Sequence, residues 1–170
     1  MILESIQRSA GENPQGLALA FYQSHTADPE MLTWAQLWDA IAKLGTRRAE
    51  RFAAEDRLLL VFPQGNDFHV CQLACHYAGL VPVPVPLPTG AGGTERLLGI
   101  LADNQCAGIL TLTAYKASIA ASDTGPGAAT PILALEELEA VTLTDIAPPY
   151  SATPDDLAFI QYTSGSVGAP

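Results

Sequence analysis

The sequence predicts an α/β fold, a parallel (mixed) sheet with helices on both faces. Short apolar runs of strand length alternate with segments whose apolar residues recur at helical spacing, the pattern of a sheet built from strand–helix–strand units. One run, Leu58-Leu-Leu-Val-Phe62, is apolar at every position. That suits a central parallel strand covered on both sides, since a strand with one wet face would alternate.

The elements follow in order. Leu17-Ala-Leu-Ala-Phe21 has strand length and an apolar composition, and His25, in the polar stretch Ser24 to Asp28, reads as a loop residue. Thr33 precedes Gln36 in the order of a capping box, so a helix is expected from Trp34. Trp34, Leu37, Trp38, Ile41 and Leu44 recur at steps of three and four, which makes one buried face. No basic residues interleave the tryptophans, so they belong to a core and not to a stacking platform. Arg47, Arg48, Glu50 and Arg51 read as the solvated end of this helix, with cations near its C-terminus. Beyond the Leu58–Phe62 strand, Pro63-Gln-Gly-Asn66 reads as a turn. Asp67 can cap a second helix that runs to about Ala78, apolar nearly all round and so buried, with Gly79 as terminator.

Val81-Pro-Val-Pro-Val-Pro-Leu-Pro88 has proline at every second position. Alternate N–H groups of an extended chain point to the same side, so the missing donors all fall on one side. An edge strand or a polyproline stretch is expected, leading into a flexible Thr89-Gly-Ala-Gly-Gly93. A third helix, about Glu95 to Asp103, follows Thr94. Gly108 to Thr113 reads as a strand, Tyr115 to Ala120 as a short helix and Ser122 to Thr130 as a small-residue loop. Ile132 to Leu135 reads as a short strand and Glu136 to Ala140 as a helical turn. Val141 to Pro154 is a polar connection containing proline. It leads into the apolar run Leu157 to Ile160, read as a buried strand, and no internal repeat is present.

Bulk numbers narrow the function. A chain of 170 residues, 48% hydrophobic and 15% charged, suits one domain burying roughly 70% of its unfolded surface, not a disordered segment. A net charge of −10 argues against a nucleic-acid partner, which calls for a basic patch, but leaves nucleotides open. No apolar stretch approaches the length of a membrane span, and Met1 to Ala10 lacks the apolar centre of a secretion signal. Cys71, Cys75 and Cys106 are odd in number, which is no disulfide framework, so a reduced, cytoplasmic protein is expected. His69, Cys71, Cys75 and His76 share a predicted helix without a second CxxC-type pair, and buried thiols fit them better than a metal site. Asp155 and Asp156 read as the polar entry to a strand, not as paired catalytic carboxylates.

The chemistry concentrates at the end of the chain, where Leu157-Ala-Phe-Ile160 opens into Gln161-Tyr-Thr-Ser-Gly-Ser-Val-Gly-Ala-Pro170. Glycines let a backbone turn successive N–H groups toward one spot, and hydroxyls add donors, so a strand opening into such a loop suits phosphate. The loop differs from the G-x-x-x-x-G-K-[ST] type, having no lysine and a different spacing.

Tyr162-Thr-Ser-Gly-Ser-Val-Gly-Ala-Pro170 resembles the start of the Y-T-S-G-S-T-G-x-P-K-G signature of the adenylate-forming superfamily of acyl-CoA synthetases, fatty acyl-AMP ligases and adenylation domains. Further similar elements stand in family order: Leu32-Thr-Trp-Ala-Gln-Leu37, Gly65-Asn-Asp-Phe68, Tyr77-Ala-Gly79, Pro82-Val-Pro84, Arg96-Leu97 with Ile100 and Asp103, and Ile109-Leu-Thr-Leu112. Asp155-Asp-Leu-Ala-Phe-Ile-Gln-Tyr162 looks most like the fatty acyl-AMP ligases.

The resemblance implies the N-terminal subdomain of such an enzyme. Residues 1–170 would be a partial adenylation domain truncated at its phosphate loop. Thr163, Ser164, Gly165, Ser166 and Gly168 would cradle the β- and γ-phosphates of ATP while a fatty-acid carboxylate attacks the α-phosphate. No catalytic residue and no metal ligand is expected within the chain. The signature lysine, the adenine, ribose and Mg2+ ligands, the acyl tunnel and the C-terminal domain would lie beyond Pro170. The intact protein would pass the acyl group to an acyl carrier protein, in lipid, polyketide or lipopeptide assembly. The 170 residues alone are expected to be inactive, and an uncovered apolar sheet face would favour their self-association. The rival readings are an acyl-CoA synthetase, which differs in the final acceptor, and a non-catalytic degenerate homologue acting as a binding or docking module.

Val167 departs from the signature's threonine, keeping its volume and losing its hydroxyl. A hydrogen bond to a charged phosphate contributes about 1.5–3 kcal/mol. Val167→Thr in the intact enzyme is therefore expected to tighten ATP binding or speed adenylation by about tenfold or more. Unchanged ATP affinity and turnover in steady-state kinetics would contradict this.

Overall fold

The run Leu58–Phe62, apolar at every position, must be covered on both faces, and β3 (Arg57–Phe62), which contains it, is placed accordingly. In the computed structural model, which describes residues 2–122, 130–140 and 142–163, it lies inside a four-stranded parallel sheet. The strand order is β4 (Val81–Pro86), β3, β5 (Gly108–Thr111), β6 (Ile132–Ala134). Leu58, Leu60 and Phe62 pack with α2 (Trp34–Ala49) and α3 (Asn66–Tyr77). Leu59 and Val61 turn the other way, against Leu97, Ile100 and Leu101 of α4 (Gly90–Asn104) and Ile119 of α5 (Thr113–Ser122). The sheet therefore has helices on both faces, as expected. Leu58, Leu59, Leu60 and Val61 have no exposure at all, and each side chain contributes about 1.5–3 kcal/mol of burial.

Two elements carried no readable signal. The α1 helix (Ile2–Glu12) buries only Ile6, too little for its periodicity to stand out among polar neighbours. The β2 strand (Glu30–Thr33) has four residues and two of them are exposed. It pairs antiparallel with β1 (Leu17–Phe21) in a separate two-stranded sheet. His25 lies exposed in the turn between these strands. The short α6 helix (Leu135–Glu139) follows β6 where a helical turn was expected, and buries Leu135 and Leu138.

The capping box forms as the sequence specifies, Gln36 N–H donating to Thr33 Oγ1 at 3.3 Å and Thr33 N–H to Gln36 Oε1 at 2.9 Å. The other end of α2 departs from expectation: Arg47 is buried, and Arg48 has no exposure. Counting four from Leu44 returns to the buried face, so periodicity outweighs the preference of a cation for solvent. Gly45 makes the burial deeper, because a Cβ there would sit 2.6 Å from the Tyr77 ring, so its absence lets α2 and α3 close together. Arg48 Nη1 donates to the Cys71 carbonyl and, at 3.3 Å, to Cys75 Sγ. Its Nε and Nη2 are buried without hydrogen-bond partners.

Two further boundaries shift. Gly65, not Asp67, stands at the N-cap of α3, with no side-chain cap bond. The α4 helix begins at Gly90, so Gly90 to Gly93 form its first turn and not a flexible loop. Glycine disfavours helix by only about 1 kcal/mol per residue, less than the buried stripe Leu97, Ile100 and Leu101 supplies.

Leu157 to Ile160 is not a buried strand. Leu157 and Phe159 are exposed, and the segment carries no regular structure. The physical reason lies in its neighbour, β4. Val81, Val83 and Val85 bond to β3, and Pro82, Pro84 and Pro86 face outward with carbonyls but no N–H groups. A strand laid against that side can give hydrogen bonds and receives none, so no full ladder forms. One such bond exists, from Ile160 N–H to the Pro82 carbonyl at 3.1 Å.

Arg48→Met removes the orphaned nitrogens and largely keeps the packing, and is expected to leave stability unchanged or raise it by about 1–4 kcal/mol. Arg48→Ala opens a cavity and should lower it by about 2 kcal/mol or more. Denaturant unfolding checks both, and a loss of more than about 1 kcal/mol in the methionine variant would contradict this view of the buried cation.

Candidate functional site

The predicted loop residues are reached through a strap that begins after α6. Thr46 Oγ1 accepts from the Ala147 N–H at 3.1 Å, and Tyr77 Oη donates to the Ala147 carbonyl at 2.6 Å. Tyr150 N–H then donates to the Tyr77 carbonyl at 2.8 Å, and the Tyr150 ring lies over Gly79. A tight turn follows, in which Asp156 accepts from the Thr153 N–H and hydroxyl at 2.7 and 3.0 Å. Those bonds, the amide first, hold the Asp156 carboxyl below its usual pKa. They give it a turn-forming role at the entry to the last segment.

From Tyr150 beside Gly79 to Ile160 beside Pro82, the chain advances in the direction of β4. Ile160 and Tyr162 pack against the core on the α4 side, while Phe159, Gln161 and Thr163 are exposed. The alternation of a strand is present although its ladder is not. Tyr162 is fixed at its tip: Asn104 Nδ2 donates to its hydroxyl at 2.6 Å, and the hydroxyl donates to Asp103. Thr163, next along the chain, is exposed. Ser164, Gly165, Ser166 and Gly168, with Val167, lie outside the described residues.

Carboxylates gather around the start of α3. Burial raises the Asp67 carboxyl, and Glu30 and Glu136 add repulsion. Burial also acts upward on Glu136, but bonds from its own amide and from Thr113 outweigh it and hold that carboxyl low. Glu136 is occupied in capping, accepting from the Thr113 N–H and hydroxyl, both at 2.9 Å, at the start of α5.

A cavity of about 700 Å3 opens at the opposite ends of β3 and β4, lined by residues that include Glu4, Trp38, Arg57, His76, Tyr150 and Leu157. Burial holds His76 below its usual pKa, so it is neutral there. Thr163, the one described residue of the predicted phosphate loop, does not line this cavity. The thiols are placed for packing: burial raises Cys71 to about 12 and Cys106 to about 11, and raises Cys75 as well. Such groups are inert as nucleophiles near neutral pH. Among the described residues no three His, Cys, Asp or Glu side chains converge as a metal site, and no helix is long and apolar enough to cross a membrane. Sequence reasoning missed the partners of Tyr162, because nothing in local spacing links residue 103 to residue 162.

Residues 6–170 match the model of the family described as AMP-binding enzyme. A Mycobacterium leprae (strain TN) protein provisionally named a fatty-acid–CoA ligase is 30% identical over 181 residues, covering 99% of this chain and 30% of its own length. A long-chain-fatty-acid–AMP ligase of Mycobacterium tuberculosis (strain CDC 1551 / Oshkosh) is 31% identical over 147 residues, covering 83% of this chain and 24% of its own. The fatty acyl-adenylate ligase of L. pneumophila, solved with acyl adenylate and pyrophosphate, is similar with a TM-score of 0.77 and 26% identity. That likeness covers 97% of this chain and 28% of the solved one. The chain thus spans less than a third of the length of these relatives.

Gly79 holds φ +74, a left-handed conformation, and a Cβ there would meet Tyr150 ring atoms at 2.7 Å. Gly79→Ala should therefore cost about 1–3 kcal/mol in denaturant unfolding. Adding Tyr150→Leu should recover only part of that loss. A neutral single variant would contradict the placement of the strap.

Proposed function

The chain belongs to the AMP-binding enzyme family, and we propose that it supplies the phosphate-loop portion of an ATP-dependent fatty acyl-AMP ligase. The intact protein activates a fatty acid as acyl-adenylate and passes the acyl group to the phosphopantetheine thiol of an acyl carrier protein, for lipid, polyketide or lipopeptide assembly. The observation that carries this reading is the course of the last segment. Signature residue Tyr162 is anchored to α4 and followed by exposed Thr163, in a segment tied to β4 by the Ile160–Pro82 bond. The same helix that anchors Tyr162 bears Arg96, whose buried Nε has no hydrogen-bond partner among the described residues.

In the proposed reaction a carboxylate oxygen of the fatty acid attacks the α-phosphorus of ATP. The new bond is an acyl-phosphate anhydride, the bond broken is the α–β phosphoanhydride, and pyrophosphate leaves with its electron pair. Thr163, Ser164, Gly165, Ser166 and Gly168 act on the leaving group. Their hydroxyl and N–H donors hold the β- and γ-phosphates in line and meet the charge that grows there, the type of stabilisation worth most when the donors are preorganised. Mg2+ neutralises phosphate charge when bound. None of the described residues is assigned to the ion.

The named relatives include both AMP and CoA ligases, so coenzyme A is the alternative acceptor. A cytoplasmic setting fits three free cysteines, all buried. Exposed Leu157 fits a surface that the rest of a longer protein would cover, or that copies of the isolated chain would share.

The complete gene product should exchange labelled pyrophosphate into ATP only when a fatty acid is present, and should then load a carrier protein in preference to coenzyme A. Residues 1–170 alone should give no exchange. Absence of exchange from the complete product across short, medium and long fatty acids would sink the proposal. Faster transfer to coenzyme A would replace its acceptor.

A further inference from the structure

The hydroxyl of Tyr162 meets two side chains from the end of α4, and this contact has no part in the reaction above. Asn104 is 3% exposed. It spans the junction, with Nδ2 donating to the Ile100 carbonyl at 2.9 Å and to Tyr162 Oη at 2.6 Å. Its own carbonyl accepts from Arg57 Nη1 of β3 at 3.0 Å. The Tyr162 hydroxyl passes its proton-donor side to the Asp103 carboxylate. Arg57, Asn104, Tyr162 and Asp103 thus form one chain of hydrogen bonds from the central strand to the residue that starts the signature. Gln105, in a left-handed conformation at φ 49, ends the helix immediately beyond.

The tie matters because the backbone supplies so little. Between Leu157 and Thr163 a single main-chain hydrogen bond, from Ile160, reaches the sheet. Thr163 follows Tyr162 directly, so whatever fixes the tyrosine fixes where the loop departs. We propose that Asp103 and Asn104 are positioning residues for the phosphate loop, acting through the Tyr162 hydroxyl, an inference that rests on the ligase reading for its catalytic consequence. A charge-assisted bond and a nearly buried amide bond together hold the aromatic ring at one depth against α4. Loss of either lets the loop's first residue move relative to the nucleotide, and Asp103, which is exposed, can be changed without opening the core.

The test uses the complete gene product with Tyr162→Phe, Asp103→Ala, Asp103→Asn and Asn104→Ala. Tyr162→Phe and Asp103→Ala are expected to raise KM for ATP about tenfold, with KM for the fatty acid and the melting temperature within error of wild type. Asp103→Asn, whose amide oxygen still accepts from the tyrosine, should recover most of that loss. A second readout needs no activity: chymotrypsin should cut after Phe159 about tenfold faster in Asp103→Ala and Asn104→Ala. An unchanged ATP KM, or equal rises for both substrates, overturns the positioning role, and an unchanged cleavage rate overturns the tie itself. If the wild-type protein ignores ATP, the ligase reading fails separately, and the cleavage rates still decide whether these residues hold the segment.

Discussion

Three prolines on one side of β4 set the terms for the rest of this structure. Pro82, Pro84 and Pro86 leave that side with acceptors and no donors, while Val81, Val83 and Val85 satisfy the sheet through β3. The strand is thereby committed to the edge, and β3 to the interior beside it. A neighbouring segment can lie along the outer side only by giving hydrogen bonds. The final segment does this once, at Ile160. The remaining positional information is carried by side chains, above all by Tyr162. The segment that leads to the proposed phosphate loop is then held by a few specific contacts and not by a continuous ladder.

The same economy appears at the start of the strap. Tyr77 packs under Gly45, tilts against Trp38 with ring centroids 5.7 Å apart, and binds residues 147 and 150 through its hydroxyl and carbonyl. One side chain and one carbonyl therefore connect the α2–α3 interface with the path to the loop. Gly79 admits the Tyr150 ring at the next step, and burial of the thiols nearby keeps them unreactive. Packing, in this part of the molecule, is the means by which the last segment is placed.

Much of the fold was legible because the signals were strong and local. The uninterrupted Leu58–Phe62 run, the capping box at Thr33, the terminator at Gly79 and the alternating prolines each have one cheap conformation, and each adopts it. The failures have equally specific causes. Arg48 reads as a solvated cation by residue type, yet it continues the periodicity of Ile41 and Leu44 into the core. The α1 helix and the β2 strand bury too little to print a pattern, and the glycines at the start of α4 obey the helix behind them. In the candidate site, the sequence identifies Tyr162 and Thr163 by their signature. It is silent on Asp103 and Asn104 as their neighbours, because that contact depends on how α4 returns across the sheet. Leu157 to Ile160 reads as a strand from its own composition, whereas whether it pairs is decided by the prolines opposite.

Residue-resolved amide hydrogen exchange across residues 157–163 tests the governing constraint most directly. A carbonyl-only edge predicts slow exchange at Ile160 alone, with Phe159 and Gln161 near the unprotected rate and the β3 amides protected throughout. Equal protection at Ala158, Ile160 and Tyr162 would mean that the segment pairs along the whole edge, and would contradict the view that side chains hold it in place.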